Sequence, residues 1–160
     1  MKNPTSNVYI ASDHAGVALK AAIQKLLPNY AWQDLGPIQN SDGSERVDYP
    51  DVAEGVAEKI ASEGNQARGI LICGSGIGMS ISANKVPGIR AALVENPVAA
   101  RLSREHNDAN VLCLGSRFVA PEYGAEIAKI WLETPFSGEN RHEQRVKKIT
   151  RIEKKNGSEK

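Results

Sequence analysis

Apolar positions along the chain switch between short, nearly continuous runs and a rhythm of three to four residues, the signatures of buried strands and amphipathic helices. Residues 8–11 (Val-Tyr-Ile-Ala) predict a first strand, and residues 17–27 a helix stopped by Pro28. Residues 30–35 predict a second strand, broken by Gly36-Pro37. A polar loop over 36–50 follows, with the turn signal Asn40-Ser41-Asp42-Gly43 inside it. Pro50 suits the first turn of a helix, which extends to about Ser62. Residues 69–73 are wholly apolar, as expected of a strand covered on both faces. A glycine-rich turn and a short helix to about Asn84 come next. The remaining expectations are a strand over 89–94, a helix over 97–106, a strand over 111–115, a helix over 121–133 and a last helix over 139–155.

Strands alternating with helices, with neither repeats nor linkers, imply βαβ units and a parallel sheet. Right-handed crossovers then distribute helices to both faces. The expected fold is a single Rossmann-like α/β domain over residues 1–155, with a five-stranded parallel sheet and helices on both faces. Residues 156–160 are expected to form a disordered tail. In such sheets ligands bind beyond the carboxyl ends of the strands. Four stretches fall there: Ser12-Asp13-His14, residues 73–78, Glu95-Asn96 and Ser116-Arg117.

Composition narrows the class. A chain of 160 residues, 41% hydrophobic and 24% charged, matches soluble globular domains rather than disordered ones. Twenty Lys and Arg against nineteen Asp and Glu leave a net charge of +1. That balance gives no support to bulk attraction for nucleic acid or a membrane surface. The charge is uneven, because residues 141–160 carry eight basic and three acidic side chains, a net +5, leaving −4 on the rest. No apolar run is long enough to span a bilayer, and the first residues lack the apolar core of a signal peptide. Cys73 and Cys113 are too few for a secreted disulfide framework. The expectation is a cytoplasmic protein with reduced thiols.

The sharpest chemical feature is Cys73-Gly74-Ser75-Gly76-Ile77-Gly78, between a strand and a helix. Glycines let successive N–H groups point inward, making a nest for a phosphate or an enolate oxygen. A dinucleotide fingerprint requires a third glycine where Met79 stands, although Glu95 lies at the right distance for the ribose partner. A Walker loop lacks its Gly-Lys-Ser/Thr. A cysteine-phosphatase loop lacks its arginine, and a nucleophile elbow needs glycines two residues to either side of its serine, where Ser75 has Cys73 and Ile77. Cys73 at a strand end beside a helix start suits a thiolate acting as nucleophile or general base, or else a small buried hydrophobe. Cys113, inside Val-Leu-Cys-Leu, reads as core. Asp13 or Ser12 can cap the first helix, and His106-Asn107 can end the fourth. Asp48-Tyr49-Pro50 can simply start a helix. Arg141 and Arg145 share a helical face, with His142 beside them, and read equally as a solvated basic face. Arg117, directly after a strand, is better placed for an anion.

Taken together, Gly-Ile-Leu-Ile-Cys-Gly-Ser-Gly-Ile-Gly, Ser-Asp-His, Arg-Val-Asp-Tyr-Pro, Arg-Glu-His-Asn-Asp-Ala-Asn and Leu-Gly-Ser-Arg resemble the ribose-5-phosphate isomerase type B family. The galactose-6-phosphate isomerase subunits belong to the same superfamily. The resemblance runs in register from about Val8 to Ile152. It implies aldose–ketose isomerisation of D-ribose 5-phosphate and D-ribulose 5-phosphate, in the non-oxidative pentose phosphate pathway, with no metal or cofactor. Carried over by position, Cys73 moves the proton between C2 and C1. Ser75 and the N–H groups of Gly74, Gly76 and Gly78 stabilise the enediolate. His106 opens the sugar ring with Asp13 assisting. His14, Arg117, Arg141 and Arg145 contact phosphate or sugar, and Tyr49 and Asn107 complete the site.

A helix over 97–106 spans about 15 Å at 1.5 Å per residue, which carries His106 away from the strand end that holds Cys73. The family's sites lie at dimer interfaces, so the expectation is a homodimer, or a tetramer built from it, with His106 and Asn107 acting in trans. Two departures limit the carry-over: the 36–50 loop is longer than the family pattern, which bears on sugar selectivity, and Ser75 stands where many members have threonine. Some family branches use a glutamate base in place of the cysteine, and Ser80 shows no acid close behind the glycines here. Other sugar phosphates (allose or galactose 6-phosphate, or a tetrose phosphate) remain alternatives, as does a nucleotide-binding module resting on the glycine turn and Glu95.

Overall fold

The computed structural model describes residues 7–37, 47–64 and 67–157. Its five strands are β1 (Asn7–Ser12), β2 (Trp32–Asp34), β3 (Ala67–Cys73), β4 (Ala91–Leu93) and β5 (Val111–Gly115). The helices are α1 (Val17–Leu26), α2 (Tyr49–Glu63), α3 (Ile77–Ala83), α4 (Pro97–Asn107), α5 (Pro121–Glu133) and α6 (Asn140–Gly157). All strand pairs are parallel, in the order β2-β1-β3-β5-β4. The α/β architecture expected from the alternation is the observed one.

Side-chain alternation along the strands builds two cores. Val8 and Ile10, Ile70 and Ile72, and Leu112 and Leu114 face α1, α4 and α5, where Leu19, Ile23, Ala100, Ile127 and Trp131 complete one layer. Tyr9, Ala11, Leu71, Cys73, Val111 and Cys113 face α2 and α3, against Val56, Ile60, Met79 and Ala83. A strand with apolar side chains at every position must be covered on both sides, and β3 and β5 are. Because connections leave β1 and β3 toward opposite faces, as they do from β3 and β5, crevices open at the carboxyl ends of these central strands.

The two edge strands are shorter than their apolar runs suggest. β2 holds three residues rather than the six of 30–35, and β4 three rather than the six of 89–94. Each pairs on one side only, so the ends of its run have no ladder to hold them in a strand. The last helix continues to Gly157, two residues past the boundary expected at 155. Most of the 36–50 loop, residues 38–46, lies outside the described residues, as does the end of the chain after Gly157.

At the amino edge of the sheet, Trp131 is fully buried with the guanidinium carbons of Arg68 and Arg104 each 5.8 Å from its ring. Arg68 donates to the Leu132 carbonyl at 2.5 Å and Arg104 to the Thr134 carbonyl at 3.2 Å. Burial, with the Arg104 charge adding, brings the Arg68 guanidinium down to about 10. Asp108 takes the left-handed conformation after α4 and pairs with Arg90 and Arg104, both at 2.9 Å. These contacts fix where α4 ends.

Candidate active site

The carboxyl ends of β1, β3 and β5 are laced together by their own backbone. Asp13 N–H donates to the Ile72 carbonyl at 3.1 Å, Ser116 N–H to Cys73 at 2.9 Å and Arg117 N–H to Gly74 at 3.0 Å. The Ser116 hydroxyl donates to the Ala15 carbonyl at 2.9 Å, closing the circle. Asp13 is buried, and its carboxylate accepts from the N–H groups of Ala15 at 2.9 Å and Gly16 at 3.2 Å. Asp13 therefore braces the turn that leads into α1 rather than capping the helix as expected, since the N-cap is Gly16 with no side-chain hydrogen bond, and these bonds fix the carboxylate at the sheet edge. His14 stands exposed in the same turn.

Cys73 ends β3 with its side chain toward α2 and α3, 4% exposed, and its Sγ accepts from Gly76 N–H at 3.1 Å. Gly76 lies at φ +74°, and a Cβ there would meet the Leu114 carbonyl carbon at 2.9 Å. Only glycine meets both conditions, the positive φ and the close approach to β5. The Ser75 hydroxyl is an acceptor for Ile77 N–H at 3.3 Å. Arg117 lays its guanidinium over Gly74, where an added Cβ would sit 3.1 Å from Cζ. Tyr49 starts α2 and packs its ring against Gly78, leaving no room for a side chain there. Asp13, His14, Tyr49, Cys73, Gly74, Ser75, Gly76, Gly78 and Arg117 thus converge on one edge of the sheet. The arrangement combines a sulfur, a hydroxyl, a turn of N–H groups, a carboxylate and a cation, which suits acid–base work on an anionic substrate. Met79, where a dinucleotide fingerprint would need glycine, is fully buried between α3 and the sheet.

The other expected residues gather elsewhere. α4 starts beside the site, capped by the Asn96 side chain accepting from Ala99 N–H at 2.8 Å, and runs back along the sheet. Its eleven residues cover about 16 Å. It ends where Ala109 N–H reaches Ser103 and Asn110 N–H reaches Arg90, at the start of β5. His106 and Asn107 therefore occupy the amino edge. Arg141 and Arg145 lie exposed on α6, which packs against α4, and Arg141 pairs with Glu139 at 2.8 Å. Within one chain the fold divides the expected residues into two groups at opposite edges.

Two residues that the sequence reading names without assigning them to the site stand in these clusters. Ser12 is fully buried at the end of β1, its hydroxyl without a hydrogen-bond partner among the described residues. His142 is 2% exposed and stacks on His106, ring centroids 4.1 Å apart and planes 9° from parallel. Burial, with His106 and Arg141 adding, pushes the His142 imidazole below its ordinary range. The sequence signal was weak: Val146 and Ile149 follow His142 at helical spacing, yet Val146 is half-buried and Ile149 is 43% exposed. Among the described residues no helix is long and apolar enough to cross a membrane, and no group of three or more His, Cys, Asp or Glu is arranged to hold a metal ion.

Comparison with known proteins identifies the family. A family model described as Ribose/Galactose Isomerase matches residues 8–149. The ribose-5-phosphate isomerase B of Escherichia coli is 45% identical over 143 residues, covering 89% of this chain and 93% of its own. The structure of Clostridium thermocellum ribose-5-phosphate isomerase B is 49% identical with a TM-score of 0.85, covering 94% of this chain and 99% of that one. A Mycoplasma genitalium ribose-5-phosphate isomerase B with bound ribulose-5-phosphate is 44% identical with a TM-score of 0.86, covering 94% and 97%. The chain belongs to the ribose/galactose isomerase family and, with it, to the aldose–ketose isomerases.

Proposed function

We propose that this chain interconverts D-ribose 5-phosphate and D-ribulose 5-phosphate through an enediolate, as a homodimer whose sites join the carboxyl edge of one protomer to the amino edge of the other. The observation that carries the reading is the Cys73 sulfur held in the glycine turn between Asp13 and Arg117, in a fold shared with a relative that binds ribulose-5-phosphate. His106 opens the furanose with Asp13 assisting: the O1 proton leaves, the C1–O4 bond breaks and O4 gains a proton. The Cys73 thiolate then takes the C2 proton, and the electron pair moves onto O1. The N–H groups of Gly74 and Gly78 and the Ser75 hydroxyl stabilise that developing charge, while the Gly76 N–H holds the sulfur. Returning the proton to C1, while the O2 proton passes to O1, completes the ketose. His14, Arg117, Arg141 and Arg145 hold the phosphate, whose binding energy positions the reacting carbons, and Tyr49 and Asn107 line the remainder.

Two features favour the dimer. One protomer keeps His106 about 16 Å along α4 from the edge that holds Cys73. Ile77, Ile81, Leu93 and Phe118 stand 38–60% exposed around the carboxyl edge, an apolar rim suited to a second copy. The test is an assay of purified protein on ribose 5-phosphate and allose 6-phosphate side by side, with EDTA present, following ketose formation. Turnover on ribose 5-phosphate, lost in C73A, is expected. Turnover on the hexose phosphate alone keeps the mechanism and overturns the substrate. Folded protein silent on both, yet binding a dinucleotide saturably, overturns the reading in favour of a nucleotide-binding module.

A further inference from the structure

His142 is a polar side chain that the proposed chemistry does not use. It is 2% exposed, and among the described residues neither ring nitrogen has a hydrogen-bond partner. Buried polar side chains in proteins ordinarily have one, so a ring kept here without partners calls for a role in its shape. Its face covers the face of His106, with centroids 4.1 Å apart and planes 9° from parallel. The charged groups around it are His106 from α4, and Glu139, Arg141 and Arg145 from its own segment. Glu139 comes within 3.7 Å of Nε2 but is itself held by Arg141 at 2.8 Å.

We propose that His142 is a positioning residue, a flat buried platform that fixes the ring plane of His106 for sugar-ring opening. His106 sits in the last turn of α4, where the helix ladder is ending and an imidazole has room to turn. Stacking removes that freedom. The packing of α6 on α4 supplies the platform. Burial and positive neighbours disfavour charge on the His142 ring.

The inference rests on the isomerase reading and on His106 as the ring opener, and the substrates separate the two. Ribulose 5-phosphate has no free hydroxyl with which to close a furanose, so enolisation from the ketose side needs no ring opening. Solvent deuterium entering C1 of ribulose 5-phosphate therefore reports Cys73 alone, whereas turnover of ribose 5-phosphate reports ring opening as well. The variants are H142F, which keeps a flat face, H142L, which fills space without one, and H106A as reference. In H142L, kcat on ribose 5-phosphate is expected to fall about tenfold to a hundredfold, the scale of a misplaced catalytic group. KM and the deuterium exchange should stay near wild type, and H142F should keep most of the activity. Full activity in H142L overturns the proposal. So does H142F falling as far as H142L, or exchange falling in step with turnover. Loss of ring opening in neither H106A nor H142L removes the role of His106 itself. A wild-type protein silent in both assays takes down the isomerase reading and this inference with it.

Discussion

Mixing two inactive variants offers a direct reading of how the site is assembled. C73A removes the sulfur at the carboxyl edge and H106A the imidazole at the amino edge, and α4 separates the two within a chain by eleven helical residues, about 16 Å. If each site draws Cys73 from one protomer and His106 from the other, both parent homodimers carry two broken sites. After random exchange half the dimers are mixed. In each of these, one site holds both lesions and the other holds none, so an equimolar mixture should recover about one quarter of wild-type activity per chain. The same fraction holds for a tetramer made of two such dimers. Neither substitution should disturb folding much, since Cys73 loses one N–H contact and His106 is half-buried at a helix end. The assay is ketose formation from ribose 5-phosphate over time after mixing, with exchange followed by native mass spectrometry of chains of different mass. Recovery should track the mixed dimer. Complete exchange with no recovery would refute the shared site, because a site built within one chain cannot be restored by a partner that lacks a different residue.

Asp34→Ala strips the carboxylate from the buried Lys20 ammonium, 2.7 Å away, leaving it, among the described residues, the Pro37 carbonyl at 3.0 Å. With Asp34 about a third exposed, the loss should be about 2 kcal/mol in urea unfolding, and K20M/D34N should recover most of it. The His142 imidazole is held below its ordinary value of 6.5, so the unfolded chain takes up that proton first as pH falls. Stability should therefore decline from pH 6.5 downward, and H142F should remove that part of the slope in melts between pH 5 and 8. Glu139 behaves separately. The Arg141 hydrogen bond holds it below 4.5, so its contribution is present above that value and lost only in stronger acid. Alkylation followed by peptide mapping should mark Cys73 and not Cys113, whose thiol burial pushes up and which has no exposed surface. A sugar phosphate should slow the reaction, and equal labelling of both would contradict the site.

Local pattern determined much of this protein. The alternation of apolar runs with helical periodicity required a parallel sheet, since strands such as 69–73 have no polar face to show to water. The residues at strand ends then had to meet at one edge, and Asp13, Cys73, the glycine turn and Arg117 do meet there. Even the separation of His106 from Cys73 followed from helix length alone.

Tertiary structure decided what depends on neighbours distant in sequence. β2 and β4 shrank to three residues because each pairs on one side only. Tyr49 touches Gly78 because α2 and α3 lie side by side on one face of the sheet. Most of all, Arg141, His142 and Arg145 stand together in the sequence, yet their side chains part company. Arg141 and Arg145 stay exposed while His142 turns inward under His106. Sequence spacing sets which residues share a helical face. Which face is buried is set by what packs against it, and for α6 that is the end of α4.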